Sequence, residues 1–208
     1  MATICPTITS NSLQYESVIL DYSKFATRLH IDLSDGIFSP NKTIAIDEIY
    51  WPYNIAVDLH LMYKDPSMFI DQVITLAPQL VIVHPDSNFN IEDFSKKMKS
   101  NGIRLGLALM PTAEVEQITR YKDLIDHVLV FSGNLGYYGG EANMNLLSRV
   151  AQIKSSLSGV EISWDGGINS NNVAKIAESG VDVLNVGGFI AGAKNSQEAF
   201  NELKELIS

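Results

Sequence analysis

Four residues of this chain are of types that, gathered at one point, would hold a divalent cation. They are His30 and Asp32 in "RLHIDLS" (28–34), His60 in "AVDLHLM" (56–62) and Asp165 in "VEISWDG" (160–166). Each sits in a short apolar run rich in β-formers. Side chains alternate faces along a strand, so His30 and Asp32, two positions apart, point the same way. Ionisable groups on an apolar strand are costly unless something binds them. Two imidazoles and two carboxylates, with no thiolate among them, suit Zn²⁺, Fe²⁺ or Mn²⁺. Taken singly, each histidine reads as a hydrogen-bonded core residue and each aspartate as a cap of the helix that follows. The four together, at strand ends, favour one divalent ion per chain. His84 is either a fifth site residue or a core or rim histidine. Asp58 shares a face with His60 and either orients that imidazole or belongs to a buried polar network. His127 opens a strand, and so reads as structural.

The elements that must position these groups come in a regular alternation. Eight β-rich runs are legible: "TICPTI" (3–8), 28–34, 56–62, "QLVIVHP" (79–85), "RLGLALMP" (104–111), "HVLVFSG" (127–133), 160–166 and "VDVLNVG" (181–187). Helical periodicity lies between several of them. Ile91, Phe94 and Met98 make one stripe, with Gly102 where a C-terminal cap belongs. Leu146, Val150 and Ile153 make another. Val173, Ile176 and Ala177 make a third, closed by Gly180. A last helix starts at Asn195 with Glu198 three residues on, and buries Phe200, Leu203 and Leu206. The segment 35–55 lacks such periodicity and reads as a long loop with a short helix possible at its end. Eight strands alternating with helices predict the α/β class and a single-domain (β/α)₈ TIM barrel over residues 1–208. A doubly wound open sheet shows the same alternation, but the strand count favours the barrel. In a barrel the active site lies at the C-terminal ends of the strands, where His30, Asp32, His60 and Asp165 fall.

Glycine pairs follow the last three strands: Gly139 and Gly140, Gly166 and Gly167, Gly187 and Gly188. Glycine lets backbone N–H groups approach an anion closely. With no Lys or Arg in these stretches, the amides would do most of the binding. One pair would mean only a tight turn; three in consecutive loops favour a phosphate site.

Composition narrows the partners. The chain has 208 residues and a formal net charge of −9, which argues against broad nucleic-acid binding. No apolar run approaches a membrane span. "MATICPTITS" lacks a basic region followed by an apolar one, and Cys5 is the sole cysteine. A cytoplasmic location is therefore expected.

In order, "ICPTI" (4–8), "HIDLSDGIFSPN" (30–41), "DLHLM" (58–62), "VHP" (83–85), "MPT" (110–112), "SGNLGYYGG" (132–140), "DGGIN" (165–169) and "DVLNVGGFIAGA" (182–193) resemble the ribulose-phosphate 3-epimerases nearly end to end. The resemblance implies metal-dependent epimerisation at C3 of a ketose phosphate of the ribulose 5-phosphate/xylulose 5-phosphate type. It puts His30, Asp32, His60 and Asp165 at the metal-ligand positions, and Asp32 and Asp165 at those of the acid/base pair. Thr7, Ser34, Met62 and Phe131 are expected against the substrate, with Ser132 and Gly136 of the strand-six loop and the three glycine pairs. The expected partner is a small ketose phosphate, with no nucleic acid and no membrane, and the chain is expected to form a homo-oligomer.

Departures from the family pattern cluster around the ligand. Thr7 stands where serine is usual. Of three usual methionines only Met62 is present, the others being Ser34 and Phe131. The strand-six loop is one residue longer, with Leu135 for proline and Glu141 for glutamine. Gly188 replaces a common serine. The proton-transfer groups are intact, so the reaction type is better specified than the substrate. An epimerase of another ketose phosphate, such as allulose 6-phosphate, remains open, as does a non-catalytic sugar-phosphate-binding barrel. A decarboxylase or aldolase of the phosphate-barrel type would need a lysine that "DLSD" (32–35) lacks.

Overall fold

The computed structural model describes residues 1–208 apart from Asn134, Gly136 and Tyr138. Eight parallel strands close into a barrel in chain order: β1 (Thr3–Ile8), β2 (Arg28–Ser34), β3 (Ala56–Met62), β4 (Leu80–Val83), β5 (Arg104–Leu109), β6 (His127–Phe131), β7 (Glu161–Asp165) and β8 (Val183–Val186). The first three have the bounds the sequence predicts. The others are shorter by two or three residues, because the residues at their ends, Gly and Pro among them, belong to the turns. The helices are α1 (Ser12–Tyr22), α2 (Ile70–Leu76, preceded by a 3₁₀ turn), α3 (Ile91–Ser100), α4 (Glu116–Thr119), α5 (Leu147–Ser156), α6 (Val173–Glu178), α7 (Gly188–Ala191) and α8 (Ser196–Leu206).

The strands read as near-continuous apolar runs because both their faces are buried. Outward residues such as Leu29, Ile31 and Leu33 join the large core beneath the helices, where α1 contributes Tyr15, Ile19 and Tyr22. The inward face differs around the barrel. On β4–β6 it is an apolar plug of Leu80, Ile82, Ala108 and Leu129, separated from the outer core by the barrel wall. On β1–β3, β7 and β8, and at the first residues of β5 and β6 (Arg104 and His127), it carries polar and charged groups.

Helix ends follow their local chemistry. The Asn195 carboxamide oxygen accepts from the backbone N–H groups of Gln197 and Glu198, as the sequence predicts for the start of α8. Asn90 caps α3 in the same way, through Asp93 N–H. Gly102, just past α3, has φ of +72°, the left-handed conformation expected there. The segment 35–55 forms no helix among its described residues. Its buried Ile44, Ile46 and Ile49 are not spaced for one helix face and enter the core as a strap. The strap is anchored where the Asp35 carboxylate accepts from the Ile37, Phe38 and Lys64 N–H groups.

Asp58 belongs to a buried network at the N-terminal end of the barrel and does not orient His60. Its Oδ2 accepts from Arg28 Nε at 2.8 Å and its Oδ1 from Gln79 Nε2 at 3.3 Å. Arg28 also grips Glu161 with two bonds of 2.8 Å, and Glu161 receives Arg104 at 3.2 Å. His127 spans Glu161 (3.0 Å) and Ser163 Oγ (2.7 Å), which makes it structural. Arg28→Met would leave Asp58 without its arginine and Glu161 with Arg104 alone. We expect a loss of about 3 kcal/mol or more in chemical denaturation, with metal affinity at the other end of the barrel unchanged. A variant as stable as the parent would contradict this role.

Candidate metal centre and active site

Strand register assembles the site. Asp32 is the register partner of His60 across β2 and β3. His30 pairs with Thr7 on β1, and Asp165 pairs with Phe131 on β6 and Asn185 on β8. All these side chains therefore rise to one end of the barrel. One ligand atom from each of His30, Asp32, His60 and Asp165 can be chosen so that all lie within 4.8 Å of one another. The four are buried, the histidines completely.

Asp32 is the hub. Its Oδ1 lies 3.2 Å from His30 Nε2 and 2.9 Å from His60 Nδ1. Its Oδ2 accepts from Thr9 Oγ1 at 2.6 Å. The outer nitrogens of the imidazoles have partners of their own. Asn185 Nδ2 is 3.2 Å from His30 Nδ1, and His84 Nε2 is 2.8 Å from His60 Nε2. His84 thus contacts one of the four from outside; its ring stacks on His60 and tilts against Phe38.

The electrostatics separate the two carboxyls. Burial would raise Asp32, but its bonds to His30 and His60 override this and hold it well below the usual carboxylate range. Asp165 bonds to no histidine among the described residues: burial, followed by the Asp32 charge, pushes it up to about 7. Burial would lower His30, yet the Asp32 hydrogen bond and charge leave it raised. Burial lowers His60, and burial with the neighbouring His60 lowers His84 strongly. Within the cluster His30 and Asp165 are thus shifted toward holding a proton, and Asp32 and His60 toward losing one. That behaviour, with an N₂O₂ donor set converging from three strands, fits one divalent cation of the Zn²⁺, Fe²⁺ or Mn²⁺ kind.

Beside this cluster opens a cavity of about 250 Å³, just below the roughly 300–1,000 Å³ usual for small-molecule sites. Asp32 and Asp165 line it, with Thr7, Met62, Phe131, Gly139, Gly140, Gly166, Gly167, Gly187 and Gly188 of the expected substrate set. Ser34 and Ser132 are not brought to the lining. Ser34 Oγ turns to Ser39 Oγ at 2.6 Å, and Ser132 Oγ accepts from Asn143 N–H at 2.7 Å. Gly136 lies outside the described residues. Glu141 is exposed and off the lining, so it does not set a carboxylate against a bound anion. No Lys or Arg lines the cavity among the described residues.

Two glycines hold the rim. Gly166 and Gly167 have φ of +111° and +73°. A Cβ at Gly166 would collide with the backbone of Gly133, and one at Gly167 with that of Glu141 and Ala142. The loops after β6 and β7 therefore pack backbone on backbone, a closeness only glycine permits.

Sequence reasoning missed Thr9 and Asn185. Thr9 lies two residues beyond Thr7, so alternation along the strand could have put both at the mouth. Asn185 is a polar residue in an apolar strand, the same signal that singled out His30.

Comparisons with known proteins agree with this geometry. Ribulose-phosphate 3-epimerase of Aquifex aeolicus is 29% identical over 186 residues, covering 86% of this chain and 84% of that one. The enzyme of the same name from Helicobacter pylori is 26% identical over 211 residues, covering 98% and 97%. A solved 3-hexulose-6-phosphate synthase superposes with a TM-score of 0.75 at 15% identity, covering 99% of each chain, which speaks for the fold alone. The family model "Ribulose-phosphate 3 epimerase family" matches residues 3–191, and the chain belongs to that family.

Proposed function

We propose that this protein is a metal-dependent epimerase that inverts C3 of a ketose phosphate of the ribulose 5-phosphate/xylulose 5-phosphate type. The observation that carries the reading is the pair Asp32 and Asp165, two carboxyls that line one cavity and belong to one cluster of four candidate metal ligands. Two carboxyls reaching one substrate from different strands can take a proton from one face and return one to the other.

C3 lies next to the ketone carbon, so its proton is acidic enough for a carboxylate to remove. In one direction Asp32 takes the C3 proton through Oδ2, which Thr9 Oγ1 orients. Asp165 returns a proton to the opposite face. In the reverse direction the roles exchange. Between the steps negative charge resides on the substrate oxygens of an ene-diolate. His30, Asp32, His60 and Asp165 would hold a divalent cation, which would supply Lewis-acid stabilisation of that charge. Thr7 Oγ1, buried without a partner among the described residues, is placed to donate to a substrate oxygen. The N–H groups of the glycine loops supply the phosphate donors, in a lining without basic side chains.

Ribulose 5-phosphate is the first substrate to test. The departures at Phe131 and Gly188 favour, as a second reading, a different ketose phosphate for the same chemistry. A panel of ketose phosphates assayed after anaerobic loading with Zn²⁺, Mn²⁺ or Fe²⁺ decides between them. Conversion of none would overturn the enzyme reading in favour of a binding barrel.

Bound metal should stabilise the fold more at pH 8 than at pH 6. Without a cation, burial and the Asp32 charge push Asp165 up to about 7, against an ordinary value of about 3.9. A raised folded pKa contributes stability below the ordinary value, and this is lost as pH rises through about 7. The raised His30 has the same sign. A cation replaces those protons, so its affinity grows with pH, and stabilisation follows affinity. Calorimetric melts with Mn²⁺ against chelator should show the larger rise at pH 8; an equal or larger rise at pH 6 would contradict the assignment.

Gly188→Ser should strengthen binding of ribulose 5-phosphate. Its Cβ would lie 3.2 Å from Gly139 Cα, but Gly139 sits exposed in an irregular loop that can yield a few tenths of an ångström. A new hydrogen bond to an anion is worth about 1.5–3 kcal/mol, so KM should fall about tenfold or more. The contact is made in ground and transition states alike, so kcat should hardly change. An unchanged KM would mean that the backbone amides suffice.

A further inference from the structure

Asn185 interrupts the apolar run of β8, is 1% exposed, and belongs to the cavity lining with Asp32 and Asp165. Its two polar atoms fare differently. Nδ2 lies 3.2 Å from His30 Nδ1, whereas Oδ1 is buried with no partner among the described residues. A buried amide oxygen left unpaired is costly. A neutral imidazole has one donor and one acceptor nitrogen. As the groups stand, His30 Nδ1 accepts from the Asn185 NH₂ and Nε2–H donates to Asp32 Oδ1.

A cation beside Asp32 reverses these demands. His30 must then present a bare Nε2, so its proton moves to Nδ1, where an NH₂ group would oppose it and an amide oxygen would accept it. A half-turn of the carboxamide exchanges the two atoms within the same space. Serine or threonine hydroxyls could also do both, but their reach is shorter; a carboxylate could only accept. We propose that Asn185 is a positioning residue that sets the tautomer of His30. It donates to Nδ1 in the metal-free protein, turns, and accepts from Nδ1–H when metal binds, so that its unpaired Oδ1 is the acceptor of the loaded form. This rests on the metal reading of the site above.

The test reads metal binding, not turnover. Competition against a chromogenic chelator measures Zn²⁺ affinity in the full chain. Asn185→Leu should weaken it about 10–100-fold, the usual range for losing the outer partner of a ligating imidazole. Asn185→Asp, a fixed acceptor, should retain or tighten it. Long-range ¹H–¹⁵N spectra of the unaltered protein at pH 8.5 should show His30 change from the Nε2–H to the Nδ1–H form on adding Zn²⁺, with the Asn185 NH₂ resonances moving in step. That second measurement stands even if a variant fails to fold. Leu and Asp variants that bind as tightly as the parent, variants equally weakened, or a His30 tautomer that does not change would each overturn the proposal. Failure of the unaltered protein to bind any divalent ion would instead overturn the metal reading beneath it.

Discussion

Asp32→Asn and Asp165→Asn should each lower turnover by about 10⁴-fold, the upper end of what a positioned acid or base contributes. Asparagine keeps the shape and one oxygen of each side chain but can neither take nor hold the proton. Because both residues are also proposed ligands, the comparison is made at saturating metal; turnover restored by added metal would reduce them to ligands alone. The two variants should then differ in a second way. Asp165→Asn retains Asp32, so it should still exchange the C3 proton of one epimer with solvent. Asp32→Asn should exchange only the other. Their placement on β2 and β7, on either side of β1 and β8, is the basis for this split. Both variants exchanging the same epimer would contradict opposed faces.

His60→Ala should lower metal affinity by about 10³-fold, beyond the 10–100-fold typical of losing an outer partner. His60 Nδ1 lies 2.9 Å from Asp32 Oδ1 and the ring is fully buried. Its loss would leave Asp32 without one of the bonds that hold it ionised, and His84 without its neighbour on the metal side. Metal analysis after anaerobic purification, followed by chelator competition, checks this. Full occupancy in the variant would remove His60 from the ligand set.

The four ionisable residues were legible in the sequence because each breaks an apolar strand, and strand alternation is enough to say which neighbours share a face. Eight runs and three glycine pairs gave the barrel and its mouth for the same reason: periodicity and turn chemistry are local. What was not legible depends on register and rotamer. Asp58 shares a face with His60, yet it is drawn to Arg28 at the far end of the barrel, a partner 30 positions away. Ser34 and Ser132 sit at strand ends facing the mouth by sequence, but each hydroxyl is claimed by a loop that no periodicity describes. The pairing of Asn185 with His30 joins residues 155 positions apart, and only closure of β8 on β1 brings them together.

The most direct test of the account is the fate of the C3 hydrogen. Ribulose 5-phosphate and metal-loaded protein are mixed in D₂O, and the products are followed by proton NMR. We predict xylulose 5-phosphate carrying solvent deuterium at C3, with no deuterium at C1 and no product once the metal is chelated. Absence of xylulose 5-phosphate at full metal loading, or deuterium entering at C1 in place of C3, would contradict it.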